Sequence, residues 1–222
     1  MSQAEMPVGS GAAPESCGGG EPTAVDLFGD GAPPRSTRDR LIREAFNLFQ
    51  ERGFHAVGLD QVIAAVGVTK TTFYNHFESK DALILAVMEQ RDRWELDALM
   101  RSARGHAGEG ATPRELLLAV FDALGEWFDG PDFRGCLFIS AAAEFPNHLD
   151  PVHQAAAAHT RRSRGVIVEL AADAGVADPS LLADRFMLLM QGATSLRHVT
   201  RQTGLGAQAR GVAELLLREH GA

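Results

Sequence analysis

From Thr37 onward the apolar residues recur at helical spacing. Leu41, Ile42, Ala45, Phe46, Leu48 and Phe49 fall at steps of one, three and four and form one stripe, the pattern of a helix with a single buried face. Gly53 follows, where a helix C-terminus favours a left-handed residue. Leu59, Val62, Ile63 and Val66 then repeat at i, i+3, i+4 and i+7, a second amphipathic helix. Gly67-Val68 breaks it after about two turns. Thr69 has the side chain of an N-cap for a further short helix, in which Phe73 and Phe77 share a face. Ser79 caps the next helix, with Asp81 in its first turn to suit the helix dipole. That helix is predicted to run through Leu83, Val87, Met88 and Trp94 until Gly105.

Pro113 fits the first turn of another helix, whose apolar face is Leu116, Leu117, Val120, Phe121, Leu124 and Phe128, and Gly130-Pro131 stops it. Segments 135–145, 151–175, 180–203 and 207–219 read as further helices, bounded by Pro146, Pro151, Gly175, Pro179 and Gly204/Gly206. No stretch alternates with period two in β-branched residues, so the fold class is all-α. Two short helices joined by a glycine turn and buttressed by a longer one predict a helix-turn-helix. The expected organisation is a disordered tail over 1–34, a helix-turn-helix domain over 35–83 and a helical domain over 84–222. The tail holds seven glycines and five prolines and has too little apolar area to offset its ordering entropy.

Charge adds a partner to this picture. The 222 residues carry a net charge of -8, which by itself argues against nucleic acid. Its distribution reverses that: 1–34 has five acids and no base, whereas 35–80 has seven bases against five acids. A basic segment in an acidic chain is the asymmetry of a bipartite DNA-binding protein. No apolar run approaches the roughly 20 residues of a membrane span, no basic-then-apolar leader opens the chain, and Cys17 and Cys136 make no disulfide framework. The expected location is the cytoplasm. No phosphate loop, nucleophile elbow or zinc signature is present, so neither an enzyme nor a cofactor is expected. His148, His153 and His159 lack the i, i+4 spacing of helical metal ligands, and no metal site is expected.

The run Gly53-Phe54-His55-Ala56, then Val66-Gly67-Val68-Thr69-Lys70-Thr71-Thr72-Phe73-Tyr74-Asn75-His76-Phe77-Glu78-Ser79-Lys80-Asp81-Ala82-Leu83, resembles the TetR family of bacterial transcriptional regulators over roughly residues 37–88. Arg134-Gly135-Cys136-Leu137-Phe138 also resembles a segment found in a subset of that family. The resemblance implies a recognition helix opening at Thr69 and lying in the major groove. Lys70, Thr71 and Thr72 would then meet base edges or adjacent phosphates, with Thr69 and Asn75 in the same set. Tyr74, His76, Lys80 and Arg38 would touch the phosphate backbone. Their chemistry agrees with these roles, since Thr and Asn bond base edges and Lys reaches guanine acceptors, while phosphate contacts fix register. Val57-Gly58 stands where many members place a Thr/Ser pair, and Thr71 where many have glycine, so operator preference is not carried over.

The resemblance further implies a homodimer built on the last two helices. Leu181, Leu182, Phe186, Leu189, Met190 and Leu196 would line one, and Val212, Leu215, Leu216 and Leu217 the other. It also implies a small effector held among the C-terminal helices. Trp127, Phe128, Phe133, Cys136, Phe138, Phe145, Met187 and Met190 are the expected walls, and their chemistry points to an apolar ligand. The expected function is a repressor released from a palindromic operator by such a molecule. The alternatives are redox control through Cys136 and DNA binding without any ligand.

Overall fold

The computed structural model describes Pro34, residues 36–131 and residues 133–220. Apart from Pro34, the expected tail lies outside the described residues. Within them the chain forms α1 (Thr37–Arg52), α2 (Leu59–Val66), α3 (Lys70–Tyr74), α4 (Lys80–Ala107), α5 (Pro113–Asp129), α6 (Leu137–Glu144), α7 (Pro151–Asp173), α8 (Pro179–Thr200) and α9 (Leu205–Glu219). There is no strand among the described residues, as the absence of period-two patterning predicts.

Local chemistry sets the helix starts. The side chains of Ser36, Thr69, Ser79, Thr112, Asp150 and Asp178 each accept a backbone N–H of the following turn, satisfying donors that the helix leaves unpaired. Proline opens α5, α7 and α8, where its missing N–H removes nothing. At Gly67 α2 ends in the left-handed region, as its position predicts. Several ends differ from expectation by up to three residues, α8 stopping at Thr200 and α9 starting at Leu205, and α4 continues through Gly105 to Ala107. A single interior glycine costs only about 1 kcal/mol, and Arg104 and His106 in the last turn complement the negative helix end.

Two apolar cores form. The first joins α1 (Leu41, Phe46, Phe49), α2 (Val62, Val66), Phe73, Phe77 and the first half of α4. It also takes in Leu137, Phe138 and Ala141 of α6 and Val152 and Ala156 of α7. The second joins the end of α4 to α5, the latter half of α7, α8 and α9. The expected boundary after residue 83 falls inside α4, whose Leu83, Ile84, Val87 and Met88 all belong to the first core. Both cores share this one helix, about 42 Å long at 1.5 Å per residue, which contributes residues to each.

Candidate nucleic-acid interface and internal cavity

The helix-turn-helix is built by packing one face of α3 and leaving the other to solvent. Phe73 and Phe77 are buried with rings 5.7 Å apart. Lys70, Thr71, Tyr74, Asn75 and His76 are exposed, and Thr72 is half-buried. Tyr74 packs its ring edge-on to Phe73 at 5.3 Å yet stays 50% exposed, an aromatic body with its hydroxyl left wet. The Thr69 hydroxyl accepts from the Thr72 N–H at 3.1 Å and lies 2.8 Å from the Thr72 hydroxyl. These two threonines therefore shape the start of α3. Lys70 Nζ sits 3.6 Å from Asp60 Oδ1, both side chains well exposed. An exposed pair of that kind is worth little and yields readily to a phosphate or base acceptor.

Around this helix stand Arg38, whose guanidinium lies 5.1 Å over the Phe77 ring, and Lys80, the first residue of α4. Arg40 donates to the Val66 carbonyl at 2.5 Å and so closes the C-terminus of α2. Where the chain has Val57-Gly58, Val57 is buried, and Gln61 takes over the capping by accepting the Gly58 N–H at 2.8 Å. A glycine lacking a capping side chain, followed three residues later by glutamine, was the available signal.

A second connection joins this head to α6. The Glu144 carboxylate accepts from Phe54 N–H at 2.9 Å and His55 N–H at 2.7 Å, and lies 3.0 Å from His55 Nδ1. Burial pushes the Glu144 carboxyl up, but the His55 and Phe54 amides and the His55 ring outweigh it and hold it below the usual carboxylate range. Gly53 makes room: it sits at φ +85°, and a Cβ there would stand 2.8 Å from Glu144 Oε1. The carboxylate reaches the loop only because that side chain is absent.

Beyond the head, the helices leave two half-open pockets, lobes that share part of their lining. One lobe, about 190 Å³, lies between α4 and α5 and is lined by Arg91, Trp94, Glu95, Leu99, Leu124 and Trp127 among others. A smaller lobe of about 70 Å³ shares Glu95, Leu99, Leu124 and Trp127 and extends to Cys136, His159, Met187 and Met190. Thus Trp127, Cys136, Met187 and Met190 are brought together. Phe138 faces an outer groove between α6, α7 and α8 and stacks on His159 at 3.6 Å. Phe128 and Phe133 are buried behind Trp127, with centroids 5.7 and 4.8 Å from its ring, and stiffen that wall. Phe145 packs on the head instead, edge-on to Phe54 at 5.9 Å and 4.7 Å from the His55 ring.

Spacing along the chain did not reveal the polar part of the cavity. Arg91 is 2% exposed and donates through Nε to Glu95 Oε2 at 2.6 Å. His159, 8% exposed, bonds Asp92 Oδ1 at 2.8 Å, and Asp92 also pairs with Arg162 at 2.5 Å. The signal was present: Ile84, Met88, Arg91, Glu95 and Leu99 continue one helical stripe.

Cys136 carries the opposite of a reactive thiol. Burial, aided by the Glu95 charge, pushes it up to about 12, so it stays protonated at neutral pH. A redox sensor needs a depressed thiol pKa, and this environment argues against that alternative. His148 Nδ1 and His153 Nε2 do approach, at 2.9 Å, because the chain turns into α7 at Pro151 rather than carrying both on one helix. Among the described residues no group of three or more His, Cys, Asp or Glu could hold a metal ion. No helix among them is long and apolar enough to cross a membrane.

Comparison with known proteins agrees with this geometry. The family model for bacterial regulatory proteins of the tetR family matches residues 41–87, and that for the tetracyclin repressor-like C-terminal domain matches residues 113–212. The fold superimposes on a TetR-family transcriptional regulator from Streptomyces coelicolor with a TM-score of 0.75 and 31% identity, covering 84% of this chain and 96% of that one. The HTH-type transcriptional regulator YjdC of Escherichia coli is 26% identical over 185 residues, 82% of this chain and 93% of its own. The HTH-type transcriptional repressor NemR of Escherichia coli is 28% identical over 138 residues, 60% of this chain and 65% of its own.

Proposed function

The chain belongs to the TetR family of bacterial transcriptional regulators, and from that premise we propose a homodimeric repressor that a small molecule releases from a palindromic operator. The observation that carries the reading is the continuity between its two ends. α3 presents Lys70, Thr71, Tyr74, Asn75 and His76 outward on a buried Phe73/Phe77 base. Glu144 ties the loop at Phe54-His55 to α6, and Cys136 and Ile139 at the start of α6 line the cavity. A ligand in that cavity presses on an element bonded to the head. To act as an effector it must prefer the head spacing that DNA does not accept.

Lys70, Thr71, Thr72 and Asn75 are assigned to base edges, and Arg38, Tyr74, His76 and Lys80 to phosphates, with Thr69 shaping the helix start. Dimerisation is supported by apolar side chains that the single chain leaves in solvent: Leu181, Leu188, Leu196 and Val199 on α8, and Val212 and Leu215 on α9. Leu182, Phe186, Met190 and Leu217 are buried within one chain and belong to its core. The similarity to a protein described as a repressor supports repression. Residues 35–83 serve as the DNA-binding unit and 84–222 as the effector and dimerisation unit in this reading.

Selection of bound fragments from random duplex DNA, followed by titration at several salt concentrations, tests it. A palindromic site held in the nanomolar range with a steep salt slope is expected. Weak binding blind to sequence would overturn it.

A further inference from the structure

His159 gives the smaller lobe a fixed polar anchor. It lines that lobe and is only 8% exposed. Its ring is held on two sides: Phe138 stacks on it, centroids 3.6 Å apart and planes 7° from parallel, and Asp92 Oδ1 lies 2.8 Å from Nδ1. A carboxylate only accepts, so Nδ1 carries a proton and donates it to Asp92. Asp92 also pairs with Arg162 at 2.5 Å, which meets its charge without a second cation. In the neutral ring Nε2 is then left as an acceptor. It has no hydrogen-bond partner among the described residues and, unlike Arg91 Nη1 and Trp94 Nε1, it is not sealed off from contact. The lobe therefore meets an acceptor that is oriented in advance and open to a donor from outside.

The other polar side chains of the lobe narrow the class. Thr194 gives its hydroxyl proton to the Met190 carbonyl at 2.8 Å, and Ser163 gives its own to the His159 carbonyl at 3.1 Å. Only oxygen lone pairs remain on both, and the Glu95 carboxylate can only accept. Gln191 brings amide donors; the balance is acceptor-rich. A molecule with a donor suits such a lobe, whereas a ketone or an ether finds no partner at Nε2. Trp127, Met187 and Met190 supply the apolar wall, a surface that favours an aromatic ring. The lobe holds about 70 Å³, half of the roughly 150 Å³ that encloses a whole benzene, so the donor end fits inside and the far edge of the ring lies at the opening. We propose that His159 anchors a hydroxylated aromatic molecule, a phenol whose O–H donates to Nε2 while its ring lies against Trp127, Met187 and Met190. This rests on the effector reading above and sharpens the expected apolar ligand into an apolar ring with one donor head.

The full chain is titrated by calorimetry with phenol, toluene and acetophenone, which share a ring and carry a donor head, no polar head and an acceptor-only head. In His159→Phe, which keeps a ring to stack on Phe138 and removes both nitrogens, the ratio of phenol to toluene affinity should fall about fivefold, the step one hydrogen bond supports, while toluene affinity holds. Nitrogen NMR of the wild-type chain with labelled histidines reads the same contact if that variant does not fold. Phenol should shift one unprotonated ring nitrogen well beyond any change that toluene or acetophenone causes. A ratio unchanged in His159→Phe, or phenol binding that moves no ring nitrogen further than toluene does, overturns His159 as the anchor. Acetophenone that binds more tightly than phenol and loses affinity in His159→Phe overturns the donor class. Failure of all three probes to bind overturns the lobe as a ligand site as well. Phenol binding through His159 without any loss of operator affinity leaves the ligand class standing and overturns the effector reading alone.

Discussion

Phe73 and Phe77 make five residues of α3 into a rigid platform, because burying two rings fixes where the outward side chains point. Each such ring contributes about 1.5–3 kcal/mol on burial, far more than any single exposed contact of the platform. Roles can therefore be tested one side chain at a time without losing the fold. Lys80→Ala should weaken binding to all sequences alike and flatten the salt slope by about one, whereas Lys70→Ala should also relax base preference. Affinity measured against salt on matched and mismatched duplexes separates the two, and an unchanged slope for Lys80→Ala would remove that residue from the phosphate set. At Cys136 the thiol, pushed up to about 12, should resist a thiol reagent at neutral pH in the folded protein and react once it is unfolded. Thiol titration of a Cys17→Ser variant reads this directly, and rapid labelling of the native chain would revive the redox alternative. The short α3 with its buried Phe73/Phe77 face was legible because periodicity and a glycine turn are local properties, whereas the DNA roles of its outward residues come from the family resemblance alone. Arg91 falls on a helical stripe with Met88 and Leu99, but an arginine there reads as solvated, and part of what covers it, the Phe46 ring of α1 at 5.4 Å, lies far away in sequence.

Between helices, bonds that no pattern of spacing announces decide the geometry. Helix existence and order follow from stripes, caps and prolines, so the elements were readable along the chain. The docking of α6 on the head depends on Glu144 meeting a loop some ninety positions earlier, and nothing in either segment alone reveals it. Glu144→Gln keeps the shape but gives up the charge on three contacts, and should cost about 1 kcal/mol at neutral pH. The folded carboxyl is held low, so its stabilisation is present above the ordinary glutamate range and fades as pH falls through the depressed folded value. Chemical denaturation across pH should thus show the wild-type advantage over Glu144→Gln shrinking below about pH 4; a gap that stays constant there would deny the carboxylate its role. The α5–α9 crossing is tighter still. A Cβ on Gly206 would lie 2.5 Å from the Gly125 Cα and 2.8 Å from its backbone N, and backbone atoms cannot swing aside. Gly206→Ala should destabilise by about 1–3 kcal/mol, lowering Tm by roughly 2–4 °C per kcal/mol at this chain length. An unshifted Tm would mean that the two helices separate freely.

For the molecule as a whole, the outcome turns on which apolar side chains one chain buries and which it leaves for a second copy. α8 carries both kinds: Leu182 and Phe186 are fully buried, while Leu188 is 75% and Val199 78% exposed. Sequence periodicity placed buried and exposed leucines in one set, because a helix packed on two sides has stripes that merge along the chain. Leu215 of α9 is 59% exposed as well, so both of the last two helices carry large apolar side chains in solvent, as helices of an interface do. A charge at its centre tests this without touching the core. Leu188→Glu should leave helicity unchanged yet sediment as a monomer at micromolar concentration, where the parent chain is expected to sediment as a dimer. Operator affinity should fall with it by about a hundredfold or more, since a lone head holds one half-site and forfeits the linkage to the second. Binding to an isolated half-site should stay as it was, because α3 and its neighbours are intact. If the Leu188→Glu chain remained a dimer with full operator affinity, the two copies would have to meet elsewhere, and the exposed leucines of α8 would need another partner.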